Sequence, residues 1–431
     1  MERNSWKALL LVGIWMTLAA AAEPPAPLSL QEARAVALRQ HPQISIAELR
    51  ALAAQQQVVI AAAAAWPQVG GHVTAVGNTV EDNRIAAATL TTSSAHDRVS
   101  TGVTVSQLLT DFGRTQHLAN SAQCRAAAED NNAAATRNQL LLQVDTAYFF
   151  ALQANSVRKV VEETVQTRQL IVDQVRALAA NKLKSELDVS FAEVNLGEAE
   201  LLAATAENDA QAALAVLSNV LGFPDRQEFE LADEPDPPPL EDAAEPLIEE
   251  AMDQRPELQR LRCDASAARH AAAAERGLRY PTISAQGTVG AIPAHSTQLD
   301  NDYYAVAGVM MTVPIFEGYR LSARASEAEL RAQQAQESLR AEELNIARDV
   351  RIAWLNARNA RERLDITARL LAHAERAFQL ADARYQAGTS SIIELNQSQL
   401  NVTTAAIKHA SAKYDYATRR AALTFQTGRS P

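Results

Sequence analysis

Two hydrophobic patterns divide this chain. In the first, apolar and polar positions alternate: Val69, Gly71, Val73, Ala75 and Gly77 share one face, while Gln68, Gly70, His72, Thr74 and Asn78 share the other. Val99, Thr101, Val103 and Val105 alternate in the same way with Ser100, Gly102, Thr104 and Ser106, and Ile283, Ala285, Gly287 and Val289 with Thr282, Ser284, Gln286 and Thr288. These runs predict strands over about 67–80, 98–109, 281–290 and 303–314, the last of them apolar on both faces. Strands of about ten residues with one small apolar face and one polar face suit a membrane barrel wall, with lipid outside and water inside.

The second pattern is helical. Ser29 is a fit N-cap, with Glu32 three residues on to complete a capping box, and the helix it starts is broken at His41-Pro42 and ended by Trp66-Pro67. From 114 to 180, and again from 319 to 387, there is neither Gly nor Pro. Long helices are expected over about 113–180 and 318–386, each about 100 Å at a 1.5 Å rise per residue. Val161, Val165, Val172 and Val175 make one apolar stripe, flanked by Val157, Val160, Ile171 and Leu178, as a helix packed on two neighbours needs. Each long helix meets a short break, 181–185 or 387–391, followed by a return helix closing at Gly222 or Gly428.

These elements occur twice. His41-Pro42 and Trp66-Pro67 match Arg255-Pro256 and Tyr280-Pro281 at an offset of 214 residues. Asp111, Arg114, Ala147-Tyr148, Ser185 and Asp188 match Glu317, Arg320, Ala353-Trp354, Ser391 and Glu394 at an offset of 206. The difference falls in the loop between the strands. Repeats over 28–222 and 246–428 are therefore joined by an acidic, Pro-rich linker at 223–245. A period this long implies a duplicated domain with pseudo-twofold symmetry.

The N-terminus changes the cellular address. Arg3 and Lys7, an apolar run over 8–18 and Ala20-Ala21-Ala22 predict a signal peptide at 1–22. No later segment is apolar for long enough to be a membrane helix, so any further crossing has to be made by strands. The two cysteines, Cys124 and Cys263, lie in Ala-rich helical sequence and read as small core hydrophobes ahead of a disulfide. The net charge of −11 without a basic block argues against a nucleic-acid partner. Eight scattered histidines, no Cys-x-x-Cys and no phosphate-binding or nucleophile motif leave no cofactor, metal or enzyme site, and Met310-Met311 reads as wall.

Two hairpins cannot close a water-filled barrel, and open edges in hydrocarbon would lack hydrogen bonds, so several chains have to associate. The duplication, 108–114 (Leu-Leu-Thr-Asp-Phe-Gly-Arg), 313–320 (Val-Pro-Ile-Phe-Glu-Gly-Tyr-Arg) and 384–395 (Arg-Tyr-Gln-Ala-Gly-Thr-Ser-Ser-Ile-Ile-Glu-Leu) together resemble the TolC-like outer-membrane efflux and secretion proteins across the mature chain. The resemblance implies a mainly α fold with membrane β: a homotrimer whose 12-stranded barrel, held by outer-membrane lipid, continues into a long α-helical periplasmic barrel. It implies the outer membrane of a Gram-negative cell. It also implies a periplasmic adaptor and an inner-membrane transporter as partners in a tripartite efflux pump or type I secretion system. The competing expectation is a periplasmic coiled-coil adaptor or scaffold.

The resemblance also assigns sites. Tyr385 is similar to a tyrosine tying inner and outer helices shut, and Glu394 to the first of two acids ringing the closed tip; Asp188 is the repeat partner of Glu394. Gln397 stands where the second acid belongs and Ser390 where a gate arginine can sit. Lys182, Lys184 and Ser185 at one break, with Gly388 and Thr389 at the other, are the expected adaptor-docking tips. Trp66, Tyr280, Tyr303 and Tyr304, at strand ends, are candidates for an interfacial aromatic belt.

Overall fold

The computed structural model describes residues 27–76, 84–86, 92–94, 98–225, 227, 229–235, 240–295 and 302–429; the expected signal peptide, residues 77–80 of the first strand and prolines 237–239 lie outside them. In chain order the elements are α1 (Leu30–Gln40), α2 (Pro42–Ala63), β1 (Gln68–Val76), the short β2 (Arg84–Ala86) and β3 (Thr92–Ser94), β4 (Arg98–Thr110), α3 (Arg114–Ala180) and α4 (Glu186–Val220). The second series is α5 (Glu245–Gln254), α6 (Pro256–Gly277), β5 (Thr282–His295), β6 (Tyr303–Thr312), α7 (Arg320–Gln386) and α8 (Ile392–Thr427). No helix among the described residues is long and apolar enough to cross a membrane.

Local chemistry sets the boundaries. The Glu32 amide donates to Ser29 Oγ at 3.3 Å and the Ser29 amide to Glu32 Oε2 at 2.9 Å, which closes the α1 capping box. His41 and Arg255 are extended, with ψ of 123° and 121°, because each precedes a proline that then opens α2 or α6 at its first turn. Strand passes to long helix through two consecutive left-handed residues in each repeat, Phe112–Gly113 and Gly318–Tyr319. The glycine occupies the second position in one repeat and the first in the other. Asp111 Oδ2 then accepts from the Thr115 amide at 2.7 Å, while Glu317 pairs with Arg320.

The four long strands form one antiparallel sheet in the order β1-β4-β5-β6, so the two hairpins join through β4 and β5 and leave β1 and β6 as its edges. β5 runs to His295, beyond the 290 expected from alternation. The cause is a register shift between Val99 and Thr101, where Pro293 falls without needing an amide hydrogen for the ladder.

Below the sheet the α3 core is Leu140, Val144, Tyr148 and Leu152, packed on α1 and the end of α4; Ile346, Val350 and Ala357 of α7 pack on α5. Each fully buried large side chain here contributes roughly 1.5–3 kcal/mol. The linker is clasped at repeat-equivalent positions. The Tyr148 hydroxyl lies 2.7 Å from the Leu28 and Ala232 carbonyls, and the Trp354 indole donates to the Glu241 carbonyl at 2.9 Å. The valine stripe of α3 is more polar than its spacing suggests: Val161, Val172 and Val175 are buried, but so are Thr164, 3.1 Å from Thr403 of α8, and Arg168, which donates to the Asn195 carbonyl.

Candidate functional site

The two helical breaks lie side by side and share one backbone plan. At the first, the Lys182 amide donates to the Ala179 carbonyl at 2.8 Å and Leu183 to Leu178 at 2.9 Å; at the second, Gly388 donates to Tyr385 at 3.0 Å and Thr389 to Arg384 at 2.9 Å. Ser185 and Ser391 then cap the return helices, their hydroxyls accepting from the amides of Asp188 (3.2 Å) and Glu394 (3.3 Å). The chemistry on this shared frame differs. Asp188 folds back to accept from the Ser185 amide and hydroxyl, which together hold its carboxyl below the usual carboxylate range.

Glu394 does something else. Its carboxylate accepts from Arg384 Nη1 at 2.8 Å and from Ser390 Oγ at 2.6 Å. Ser390 thus belongs to the same cluster as Glu394, and the arginine is supplied by Arg384, which motif matching alone passes over because its partner lies across the turn. Gln397 takes no part; its amide donates to Asn401 Oδ1 one turn on. Lys182 is exposed, and Thr389 Oγ1 donates to the Arg384 carbonyl at 3.1 Å.

Tyr385 is the hub of the tip. Its ring is buried with Val172 and Val175 of α3, Ala192 of α4, and Ile392 and Leu395 of α8, so one side chain joins both helical hairpins. The Lys184 ammonium stands 4.2 Å from the ring centroid. The Tyr385 hydroxyl has no hydrogen-bond partner among the described residues, and burial, with the nearby Asp188 charge, raises its pKa.

At the other end, the sheet has two chemically distinct faces. Val69, Val73, Val103, Ile283, Val289, Val309 and Met311 lie on one; Gln68, His72, Thr104, Ser106, Gln286 and Thr288 lie on the other, joined there by Val306 and Met310 of β6, the strand that is apolar on both faces. The row His72, Gly102, Gly290, Tyr304 crosses all four strands on the polar face, and Tyr304 lies across both glycines to reach His72 Nε2 at 3.0 Å. Thr104 Oγ1, 3.0 Å from Thr288 Oγ1, extends this polar row.

Of the four candidates for the aromatic belt, Tyr303 and Tyr304 lie on opposite faces of the sheet. Adjacent strand residues face opposite ways, so Tyr303 is 74% exposed on the apolar face while Tyr304 lies along the polar one. Trp66 and Tyr280 are exposed at the helix end of the sheet, where Tyr280 meets Phe112 with ring centroids 5.7 Å apart. Phe112, Ile315, Phe316 and Tyr319 are exposed beside them, residues that helical or strand periodicity cannot find because they sit in the joint.

This arrangement has close structural counterparts. The crystal structure of the outer membrane protein VceC from Vibrio cholerae matches with a TM-score of 0.79 at 20% identity, covering 93% of this chain and 96% of that one. The open state of the Neisseria gonorrhoeae MtrE outer membrane channel matches at 0.76, with 20% identity over 93% and 88%. In sequence, the pyoverdine export outer membrane protein OpmQ of Pseudomonas aeruginosa is 24% identical over 361 residues, 83% of this chain and 76% of OpmQ. The family model for outer membrane efflux proteins matches residues 34–223 and 247–429, one segment for each repeat. A periplasmic adaptor or scaffold is thereby displaced. The chain belongs to the outer membrane efflux protein family, TolC-like channels seated in the outer membrane with a helical body in the periplasm.

Proposed function

We propose that three copies of this chain close into a passive duct, a 12-stranded barrel continued by the helices, that forms the outer-membrane exit of a tripartite efflux pump or type I secretion system. The observation that carries this reading is the four-stranded sheet, whose strands β1, β4 and β5 are apolar on one face and polar on the other, with the outer edges of β1 and β6 unpaired among the described residues. Such edges cannot face hydrocarbon without losing a hydrogen bond at each backbone group, and pairing β6 of one copy with β1 of the next satisfies both. The apolar face then meets lipid, and the row containing His72 and Tyr304 lines the water path.

Energy for transport comes from an inner-membrane transporter, coupled through a periplasmic adaptor that docks on the breaks at Lys182, Lys184, Ser185, Gly388 and Thr389. The same tip forms the gate. Tyr385 holds the two helical hairpins together through apolar packing, and Glu394 faces the axis with its charge partly neutralised by Arg384. Opening requires the hairpins to part at the cluster around Tyr385, which costs the burial of that ring.

The deciding experiment is outer-membrane fractionation followed by electrophoresis without boiling and recording in planar bilayers. A heat-dissociable trimer with stepwise conductance is expected. A monomer extracted without detergent would refute the reading.

A further inference from the structure

We propose that Cys124 and Cys263 form a disulfide that staples the long helix of the first repeat, α3, to the short helix of the second, α6, just below the sheet. The two helices run antiparallel here: as numbers rise along α3, its contacts fall along α6, from His117 beside His270 to Ser121 beside Ala267 and Cys124 beside Ser266. Cys124 lies seven residues beyond His117, and Cys263 lies seven before His270. Seven residues are two helical turns with a drift of only about 20°. The cysteine pair therefore repeats, one heptad down, the facing geometry of the histidine pair, whose Nδ1 atoms are 3.2 Å apart.

The backbones of α3 and α6 approach closely along this seam. Ser121 Oγ, on a side chain of one heavy atom beyond Cβ, donates directly to the Ala267 carbonyl of the other helix at 2.9 Å, and a Cβ added at Gly277 would stand 3.1 Å from Arg114 Cβ. A disulfide asks for Cα atoms about 4.4–6.8 Å apart, and the residues next to the pair on this seam, Ser121, Ser266 and Ala267, are small. The Cys124 thiol donates to Ser266 Oγ at 3.6 Å, and Ser266 is one turn from Cys263, so the Cys124 sulfur already meets the face of α6 that carries Cys263. Both thiols are half-buried, and the Cys263 thiol is pushed up by burial and by its neighbour Cys124.

These are the only two cysteines in the chain, and the helical body of this outer-membrane family stands in the periplasm, where disulfides persist. Formation is thiol–disulfide exchange. One cysteine, as the thiolate, attacks an incoming disulfide and releases one thiol of that oxidant. The second cysteine, also deprotonated, then attacks the mixed disulfide and releases the other. The two electrons and two protons leave as two reduced thiols of the oxidant. Cys124 lies ten residues into a helix of 67, so the staple fixes the joint at the sheet and leaves the distant tip free to part.

The test counts thiols on the full chain, purified from outer membranes in detergent, exposed to oxidised glutathione, then unfolded with a maleimide-polyethylene glycol reagent. The expected result is no labelled thiol before reduction and two after it, with one peptide pair linking residues 124 and 263 by mass spectrometry. Cys124→Ser and Cys263→Ser should each show one labelled thiol, or one glutathione adduct, in the same unreduced sample. Two labelled thiols in the unreduced wild type would overturn the proposal. So would glutathione on both cysteines, or a link from either one to a second chain.

Discussion

Lys182 holds the left-handed backbone conformation, with φ of 61°, at the position where the second repeat places Gly388, with φ of 73°. The turn is the same in both copies, but only one has the residue that enters this region freely. A side chain there costs about 1–2 kcal/mol, and glycine recovers most of it while adding freedom to the unfolded chain. Lys182→Gly should therefore stabilise the first tip by about 1 kcal/mol, and Gly388→Ala should destabilise the second by a similar amount. Amide exchange at Leu183 and Thr389, whose hydrogen bonds close the two turns, reads each tip separately. Faster exchange at Leu183 in Lys182→Gly would contradict this account.

The helical body was legible in the sequence because long helices need little beyond the absence of Gly and Pro, and the tract from Arg114 to Ala180 is α3 itself. Contacts that depend on folding were not. Pro293 marks the end of a strand to any reader of sequence, yet the bulge beside Val99 absorbs it. Thr164 and Arg168 interrupt an apolar stripe, and only α8 and Asn195 explain why they can be buried. Tyr304 meets His72 from 232 residues away, across two glycines whose shared role appears only once the strands are in register.

The pairing of Arg384 with Glu394 makes opposite predictions for its two members. Both side chains are about half exposed, so the pair adds little to stability, on the order of 0–1 kcal/mol. In the proposed trimer its effect on ions is larger, since three copies around one axis add their charges. Arg384→Gln should leave three unneutralised carboxylates and raise cation preference, whereas Glu394→Gln should leave three guanidinium groups and shift preference toward anions. Reversal potentials in a salt gradient measure both. Identical shifts from the two substitutions would remove the pair from the conduction path.

Arg34 and Asp145 form the buried ion pair of the first repeat, bidentate at 2.7 Å on both arms. Burial raises the Asp145 pKa, and Arg34 only partly offsets it. Because the folded value is raised, this residue favours folding most below the unfolded value of about 3.9, and that contribution is lost as pH rises through the folded value. At neutral pH the pair is tolerated more than it is useful. In the second repeat the position of Arg34 is Ile248, packed against the α5 and α7 core. Arg34→Met should cost about 3–5 kcal/mol by stranding a buried carboxylate, and adding Asp145→Leu should restore most of that. Denaturant unfolding at pH 7 gives both numbers. A double variant no more stable than Arg34→Met would show that the pair is worth more than its apolar replacement.

The bare glycines under Tyr304 let its ring lie flat along the wall. A Cβ at Gly102 would collide with the Tyr304 hydroxyl and stand 2.8 Å from the Val289 carbonyl, so Gly102→Ala has to lift the ring off the sheet. In the proposed barrel the ring lifted off the polar face enters the water path, and single-channel conductance should fall. Tyr304→Phe removes only the bond to His72, at a cost of about 1 kcal/mol, and should leave conductance nearly unchanged. Gly102→Ala with Tyr304→Ala should recover it, because the obstruction is then gone. If that double variant conducts as poorly as Gly102→Ala, the loss comes from the Val289 backbone contact, and the ring is not what fills the lumen.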